Sequence, residues 1–433
     1  MKKVKIIKKV SIICLAVIIL ELLIMLIIKI SRERKIEYFD SLNDIVVTDN
    51  GYVGVGQSDF KYSKDVKEKD YIYKEEKYIA TRCKIALYNK EKELLKESSF
   101  DSEFDSTFYS VLKIDDGYIA VGSIVSNDEQ IELNTHDALM VKYDKDLNVV
   151  WSNTYSVLSD TKFYKIIDDG NNNYVIIGQS IYENMEFGSH ITGGGIIVRI
   201  NSDGEVIANN NYGGNKSGNF TDIIKVDDGY IVCGKDATNY GIVVKFKKDF
   251  NREENDKNLI TQKIMWQRTY SNTDNLGFMD MVLIGDTLYV CGAVNISDEK
   301  DADGNAIFKY DAGIVLYNTS GKYLGKKLTL NDDVHNLFTS IETDNEFLYL
   351  TTLMDADNND NDNRSMLVKM DLEGNIIKRE SYDNESNNIL NKIMKINDNY
   401  LITGVSNTKC SLLTGCDYEP IIRIYNNDLK TID

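Results

Sequence analysis

From about residue 42 onward the apolar positions of this chain fall in runs of five to eight residues rich in Val, Ile, Tyr and Phe, broken by Asp, Asn and Gly. Runs of that kind bounded by turn residues predict antiparallel β-strands. No apolar stripe at helical spacing interrupts them. One phrase recurs, a short polar turn followed by an aromatic or aliphatic run that usually ends in Gly. It reads DNGYVGVG at 49–56, DDGYIAVG at 115–122, NNNYVIIG at 171–178, DDGYIVCG at 227–234, GDTLYVCG at 285–292, DNEFLYLT at 344–351 and NDNYLITG at 397–404. Successive phrases end 53 to 66 residues apart.

Each unit carries three further runs. In the second, FYSVLKI (108–114) precedes the turn, YIAVGSI follows it, DALMVKYD (137–144) comes after a polar loop, and NVVWSNTY (148–155) closes the unit. Four strands per unit and seven units predict an all-β, seven-bladed β-propeller of four-stranded blades, whose closure removes exposed sheet edges. The last unit is short of a fourth strand, and Ile36 to Phe39 could supply it from the opposite end of the chain.

The strand and turn order resembles WD40-like propeller repeats, although no Trp-Asp dipeptide closes the third strand. DALMVKYDKDLNVVW (137–151) and MLVKMDLEGNII (366–377) also resemble the repeat of PQQ-like propellers, with Trp151 and Trp266 at the position of its Trp. The resemblance covers residues 42–433 and implies a fold; it carries no cofactor residue with it.

A different pattern precedes the strands. Residues 10–30 read VSIICLAVIILELLIMLIIKI, interrupted by Glu21, long enough to cross a hydrocarbon core of about 30 Å as one helix. The expected organisation is a basic cytoplasmic tail (1–9), a transmembrane helix (10–30), a juxtamembrane linker (31–41) and a propeller ectodomain (42–433). The run is too long, and lacks the small-residue site, for a cleaved signal peptide. Cys14 lacks the small preceding residue of a lipidation site. Five lysines before the span favour an inside N-terminus, which places the propeller outside the cell.

Charge divides along the same line. Of the net −18, residues 1–36 contribute +7 and the remainder −25. An acidic ectodomain excludes nucleic acid as a partner, because phosphate binding needs clustered Lys and Arg. It also disfavours lying flat on anionic lipid.

Loop lengths divide the two rims of the predicted ring. The first-to-second and most third-to-fourth connections are tight turns, whereas the second-to-third loops are long and unlike one another: 57–81, 179–192, 293–311 and 353–363. Variable insertions on one rim of a repeat fold mark a binding face, and Tyr62, Tyr71, Tyr73, Tyr182, Phe187 and Phe308 give these loops the amphipathic aromatics that interfaces favour. The charged insertion 246–264 falls on the other rim and reads as solvated. Asp355, Asp357, Asp360 and Asp362 in one loop, and Asp301, Asp303 and Asn305 in another, offer oxygen ligands to calcium. Neither loop is an EF-hand, and the plainer alternative is an acidic solvated loop.

Chemistry is otherwise sparse. His136, His190 and His335 all fall near the variable rim but in different blades, and no nucleophile motif, phosphate loop or paired CxxC is present. Cys410 and Cys416 are spaced to close a small disulfide in an oxidising exterior, while Cys83, Cys233 and Cys291 read as buried small hydrophobes. The expected function is a membrane-tethered binding or scaffolding module with a protein or envelope-glycan partner rather than an enzyme. The alternative is a surface hydrolase or lyase acting on glycans or peptides, to be told apart by two convergent carboxylates with raised pKa in the central cavity. A third reading is an accessory subunit of an envelope assembly.

Overall fold

The computed structural model describes residues 38–432 except 60–71, 74–75, 78–80, 101–104, 126–134, 158–159, 185–189, 213–217, 237, 239, 251–262, 272, 297–309, 331–335, 356–362, 383–386 and 412–414. Strands fill these residues, and they form the seven blades that the repeat predicts. Blade 2 is representative: an inner strand Ser106–Ile114, a second Gly117–Ile124, a third Asp137–Asp144 and an outer Val149–Tyr155, paired antiparallel in that order. Among the described residues no helix is long and apolar enough to cross a membrane; residues 10–30 lie outside them.

The core lies between blades rather than within them. Each sheet buries both faces against its neighbours, so seven apolar clusters separate seven blades. One joins blades 1 and 2 through Val53, Val55, Ile85, Phe108, Val111 and Leu139. Another, around Leu42, Ile45, Tyr52, Ala86 and Leu401, joins the last blade to the first. A large side chain at one inner-strand position feeds each cluster: Leu42, Phe108, Phe163, Phe220, Phe278, Phe338 and Leu390, all fully buried.

The glycine that ends the recurring phrase has a steric cause. Gly56, Gly122, Gly178, Gly234, Gly292 and Gly404 pair directly opposite those large residues. A Cβ at Gly122 would overlap the Thr107 carbonyl oxygen, and one at Gly178 the Lys162 carbonyl oxygen. In blade 6 the equivalent position is Thr352, opposite Phe338. The phrase there is therefore NEFLYLTT at 345–352, one residue on from the 344–351 read in the sequence, because the two turn residues are Asn345 and Glu346.

Both ends of the chain complete blade 7. Its inner strand is Asn388–Ile396, its second Asn399–Ser411 and its third Gly415–Asn426. Beside the third strand, Thr431 bridges Tyr425 near one end. At the other end Tyr38 and Phe39 pair in parallel with Asp417 and Tyr418. The first strand, Tyr38–Thr48, thus begins inside the segment expected as linker and continues as the inner strand of blade 1. Asn391 Nδ2 donates to the Leu42 carbonyl across this seam at 2.9 Å.

The two tryptophans are inter-blade fasteners. Trp151 Nε1 donates to the Ser202 carbonyl and Trp266 Nε1 to the Thr319 carbonyl, each at 3.1 Å, in the third-to-fourth turn of the next blade. Gly204 and Gly321 sit in those turns with φ of 77° and 80°, and a Cβ on either would strike the indole. The insertion 246–264 is not wholly solvated as expected. Phe250 at its start is fully buried, edge-on to Tyr230 at 5.7 Å and beneath the Arg199 guanidinium at 4.8 Å. A large aromatic in an otherwise charged stretch was the signal for that anchor.

Candidate functional site

Every inner strand carries a β-bulge at the same place, between Leu42 and Asp44, Phe108 and Ser110, Phe163 and Lys165, Phe220 and Asp222, Phe278 and Asp280, Phe338 and Ser340, and Leu390 and Lys392. A bulge turns two successive side chains to one face of a strand. The residues just after it, Asp44, Ser110, Lys165, Asp222, Asp280, Ser340 and Lys392, form a polar ring around the axis.

Each member of this ring is tied to a neighbour. Asp44 Oδ2 accepts from Ser110 Oγ at 2.8 Å and from the Val111 N–H at 3.1 Å. Asp280 Oδ2 accepts from Ser340 Oγ at 2.6 Å and the Ile341 N–H at 3.1 Å, and Asp222 Oδ2 accepts from the Met281 N–H at 3.3 Å. Lys165 Nζ lies 3.6 Å from Asp222 and Lys392 Nζ 3.2 Å from Asp280. Three carboxylates face two ammonium groups, so one negative charge is left over in a buried place. Burial and the Asp280 charge push the Asp222 carboxyl up to about 7. Burial also opposes the charge on Asp280, but Lys392 and Lys165 outweigh it and hold that carboxyl at about 2. The pair titrates together, Asp222 holding the proton that Asp280 gives up.

The two carboxylates converge, but only Asp222 has the raised pKa by which an enzyme was to be recognised, and both are only 5% and 6% exposed and spent on fastening blades. Double-displacement or water-activated glycoside hydrolysis needs two carboxyl groups that reach substrate. The ring does not offer them.

The long-loop rim above blades 1 to 3 holds a second, asymmetric group. His136 stands just before the third strand of blade 2, and its carbonyl accepts from the Thr161 N–H, which brings it against the start of the inner strand of blade 3, Asp160–Gly170. There His136 Nδ1 meets Asp160 Oδ1 at 2.8 Å. Gln179 Nε2, one residue past the phrase-ending Gly178, donates to Asp160 Oδ2 at 2.6 Å, and Lys162 Nζ lies 3.6 Å from Oδ1. Tyr164, the bulged residue of blade 3, donates its hydroxyl to Gln179 Oε1 at 2.9 Å and packs edge-on to Tyr109, the bulged residue of blade 2, at 5.1 Å. Thr107 Oγ1 reaches Gln57 Oε1 of blade 1 alongside. The His136, Asp160 and Lys162 side chains keep 16%, 12% and 19% of their exposure, so solvent reaches the group.

Its protonation is set by the same contacts. Burial opposes the charge on Asp160, but the hydrogen bond from His136 and the Lys162 ammonium hold its carboxyl below the ordinary range. Burial raises the Tyr164 phenol well above its ordinary value, with Tyr109 and Asp160 adding to it, and burial raises Tyr109 as well. The group therefore presents a carboxylate held anionic and two phenols held protonated, beside the Lys162, Gln179 and His136 side chains. With Asp160 engaging Nδ1, Nε2 is the imidazole nitrogen that faces away from that carboxylate.

None of these side chains except His136 stood out in the sequence. The expected residues fall elsewhere on the same rim or outside the description. Tyr73 lies in a two-residue strand Ile72–Tyr73 within the blade 1 insertion, and Tyr182 lies in the second strand of blade 3 opposite Thr192. Asp355 ends the second strand of blade 6 opposite Asn363. Tyr62, Tyr71, Phe187, Phe308, Asp357, Asp360, Asp362 and His335 lie outside the described residues. Among the described residues no group of His, Cys, Asp and Glu is arranged to hold a metal. Cys410 pairs with Cys416 in backbone register. Cys83, Cys233 and Cys291 are buried free thiols as expected, and burial pushes Cys83 up to about 12.

No protein-family model matches the chain, and no curated protein matches it. Solved structures do. The polysaccharide lyase Uly1 aligns with a TM-score of 0.50 and 10% identity over 91% of each chain. A protein described as a 6-phosphogluconolactonase, from Bacteroides fragilis, aligns with a TM-score of 0.42 and 13% identity over 84% of this chain and 96% of its own. At such identities the likeness shows the propeller fold alone.

Proposed function

We propose that this protein is a membrane-tethered, extracellular binding module whose propeller takes up a glycan at the channel mouth above blades 1 to 3. The observation that supports the reading is the convergence of His136, Asp160, Lys162, Gln179, Tyr164 and Tyr109 on one side of the long-loop rim. Polyhydroxylated ligands are held by alternating donors and acceptors beside an aromatic face, and that is the inventory this group presents. The apolar segment 10–30 supplies the tether, and the acidic ectodomain keeps it off anionic lipid. Titrating the full chain in detergent with a panel of neutral and uronate-bearing polysaccharides tests the site. His136→Gln and Lys162→Met should each weaken binding about tenfold, the scale of one lost charge-assisted hydrogen bond. Unchanged affinity in both variants overturns it.

The His136–Asp160 pair also favours a second reading, a surface lyase acting on the same glycan. A carboxylate that fixes the imidazole leaves Nε2 as a base, and the chemistry needs no second carboxylate. Uly1 is a polysaccharide lyase on this fold. Appearance of unsaturated sugar ends during the same titration, lost in His136→Gln, separates catalysis from binding.

A further inference from the structure

We infer that the propeller is held with its long-loop rim, and with it the channel mouth, toward the membrane, so that the bound glycan is an extended strand lying close to the bilayer. This rests on the tether of the proposed function and adds its geometry. The chain joins the propeller at Tyr38 and Phe39, paired with Asp417 and Tyr418. Those partners lie two and three residues past the start of the third strand of blade 7, at the end joined to its second strand by residues 412–414. That end belongs to the long-loop rim, and from it the first strand runs away toward the tight turn after Thr48.

Only residues 31–37 separate the apolar segment from Tyr38. Seven residues reach at most about 25 Å when fully extended. A nine-residue inner strand such as Ser106–Ile114 is about 30 Å long. The linker is therefore too short to pass the height of a blade, and the tight-turn rim cannot be the one that faces the bilayer. The same length limits what fits near the attachment. A 100-residue globular partner, with a radius of gyration of about 13 Å, is wider than the gap the linker can open, whereas a single glycan strand is not. The net −25 beyond residue 36 disfavours adsorption of the propeller as a whole on anionic headgroups.

Energy transfer to a headgroup-level acceptor reads this orientation in the full chain reconstituted into liposomes. In a background with Cys14, Cys410 and Cys416 replaced by Ser, a donor is placed at Val157→Cys on the long-loop rim or at Lys145→Cys on the tight-turn rim, both exposed and flanking the same outer strand, Val149–Tyr155. Transfer should be several-fold higher from position 157 than from 145. Equal or reversed transfer with the protein still on the liposomes overturns the orientation and leaves the tether standing. Loss of liposome association overturns both, and loss of polysaccharide binding with the transfer pattern intact strikes the mouth site alone.

Discussion

The axis ring of this propeller is built by all seven inner strands and the mouth by the inner strands of blades 2 and 3, with residues in second strands and just before a third beside them, and the two use polar side chains in opposite ways. At the axis one polar residue per blade follows the bulge, and the hydrogen bonds pass from blade to blade: Asp44 to Ser110, Asp280 to Ser340, Ser340 to the Ile393 N–H. The mouth breaks that symmetry. Blades 1 to 3 contribute Gln57, Thr107, Tyr109, His136, Asp160, Lys162, Tyr164 and Gln179, while the bulged residues of blades 4, 6, 7 and 1 (Thr221, Thr339, Asn391 and Asn43) each bond a carbonyl of the adjoining blade. A polar residue repeated around a ring serves closure, which every blade needs. A polar group confined to one arc serves something only that arc does.

The largest expected difference between the two regions is in stability. Asp280→Ala strips acceptors from Ser340, the Ile341 N–H and Lys392, leaving a buried ammonium with its main partner gone. Breaking a buried pair from one side costs about 3–5 kcal/mol, so thermal denaturation should show a Tm lowered by many degrees. A shift no larger than that of a surface substitution would mean the ring does not hold the blades together.

The next effect is a pH dependence confined to the axis. Asp222 titrates at about 7 in the fold against 3.8 ordinarily, so between those values the folded state binds a proton that the unfolded chain has lost. Stability from this group is complete below pH 4 and declines as pH rises toward 7. Asp280 runs the other way, its contribution present above 3.8 and lost as pH falls toward 2. The pair alone therefore places maximum stability near pH 4. Asp222→Asn, which imitates the protonated acid, should flatten the decline in Tm from pH 5 to 8. An unchanged slope would assign the proton elsewhere.

How far each region was legible in the sequence follows from the same contrast. The seven units and their four strands were readable because tight Asp/Asn/Gly turns and an obligatory glycine punctuate each blade. The axis ring was written there too, as FYSV, FYKI, FTDI, FMDM, FTSI, LNKI and LNDI, a large apolar residue followed two places later by a polar one and then an aliphatic. Strict alternation hides it, because the bulge shifts the period by one residue. The mouth was not legible. His136 and Asp160 are 24 residues apart in different blades, and Gln179 owes its place to the glycine before it rather than to any motif. The long loops, where aromatics drew attention, lie largely outside the described residues.

The smallest expected change in stability is also the sharpest separation of the two regions. Tyr164 is half-buried, and its hydroxyl makes one bond, to Gln179, whose amide holds Asp160. Tyr164→Phe keeps the ring packed on Tyr109 and removes only that donor, a loss of about 1 kcal/mol for one neutral hydrogen bond. If the mouth were one more fastener, binding would not notice. If it recognises a glycan, the freed Gln179 no longer fixes Asp160, and polysaccharide affinity should fall severalfold while Tm moves by no more than a few degrees. A large loss of Tm with affinity untouched would place Tyr164 with the axis and leave the arc of blades 1 to 3 without a function of its own.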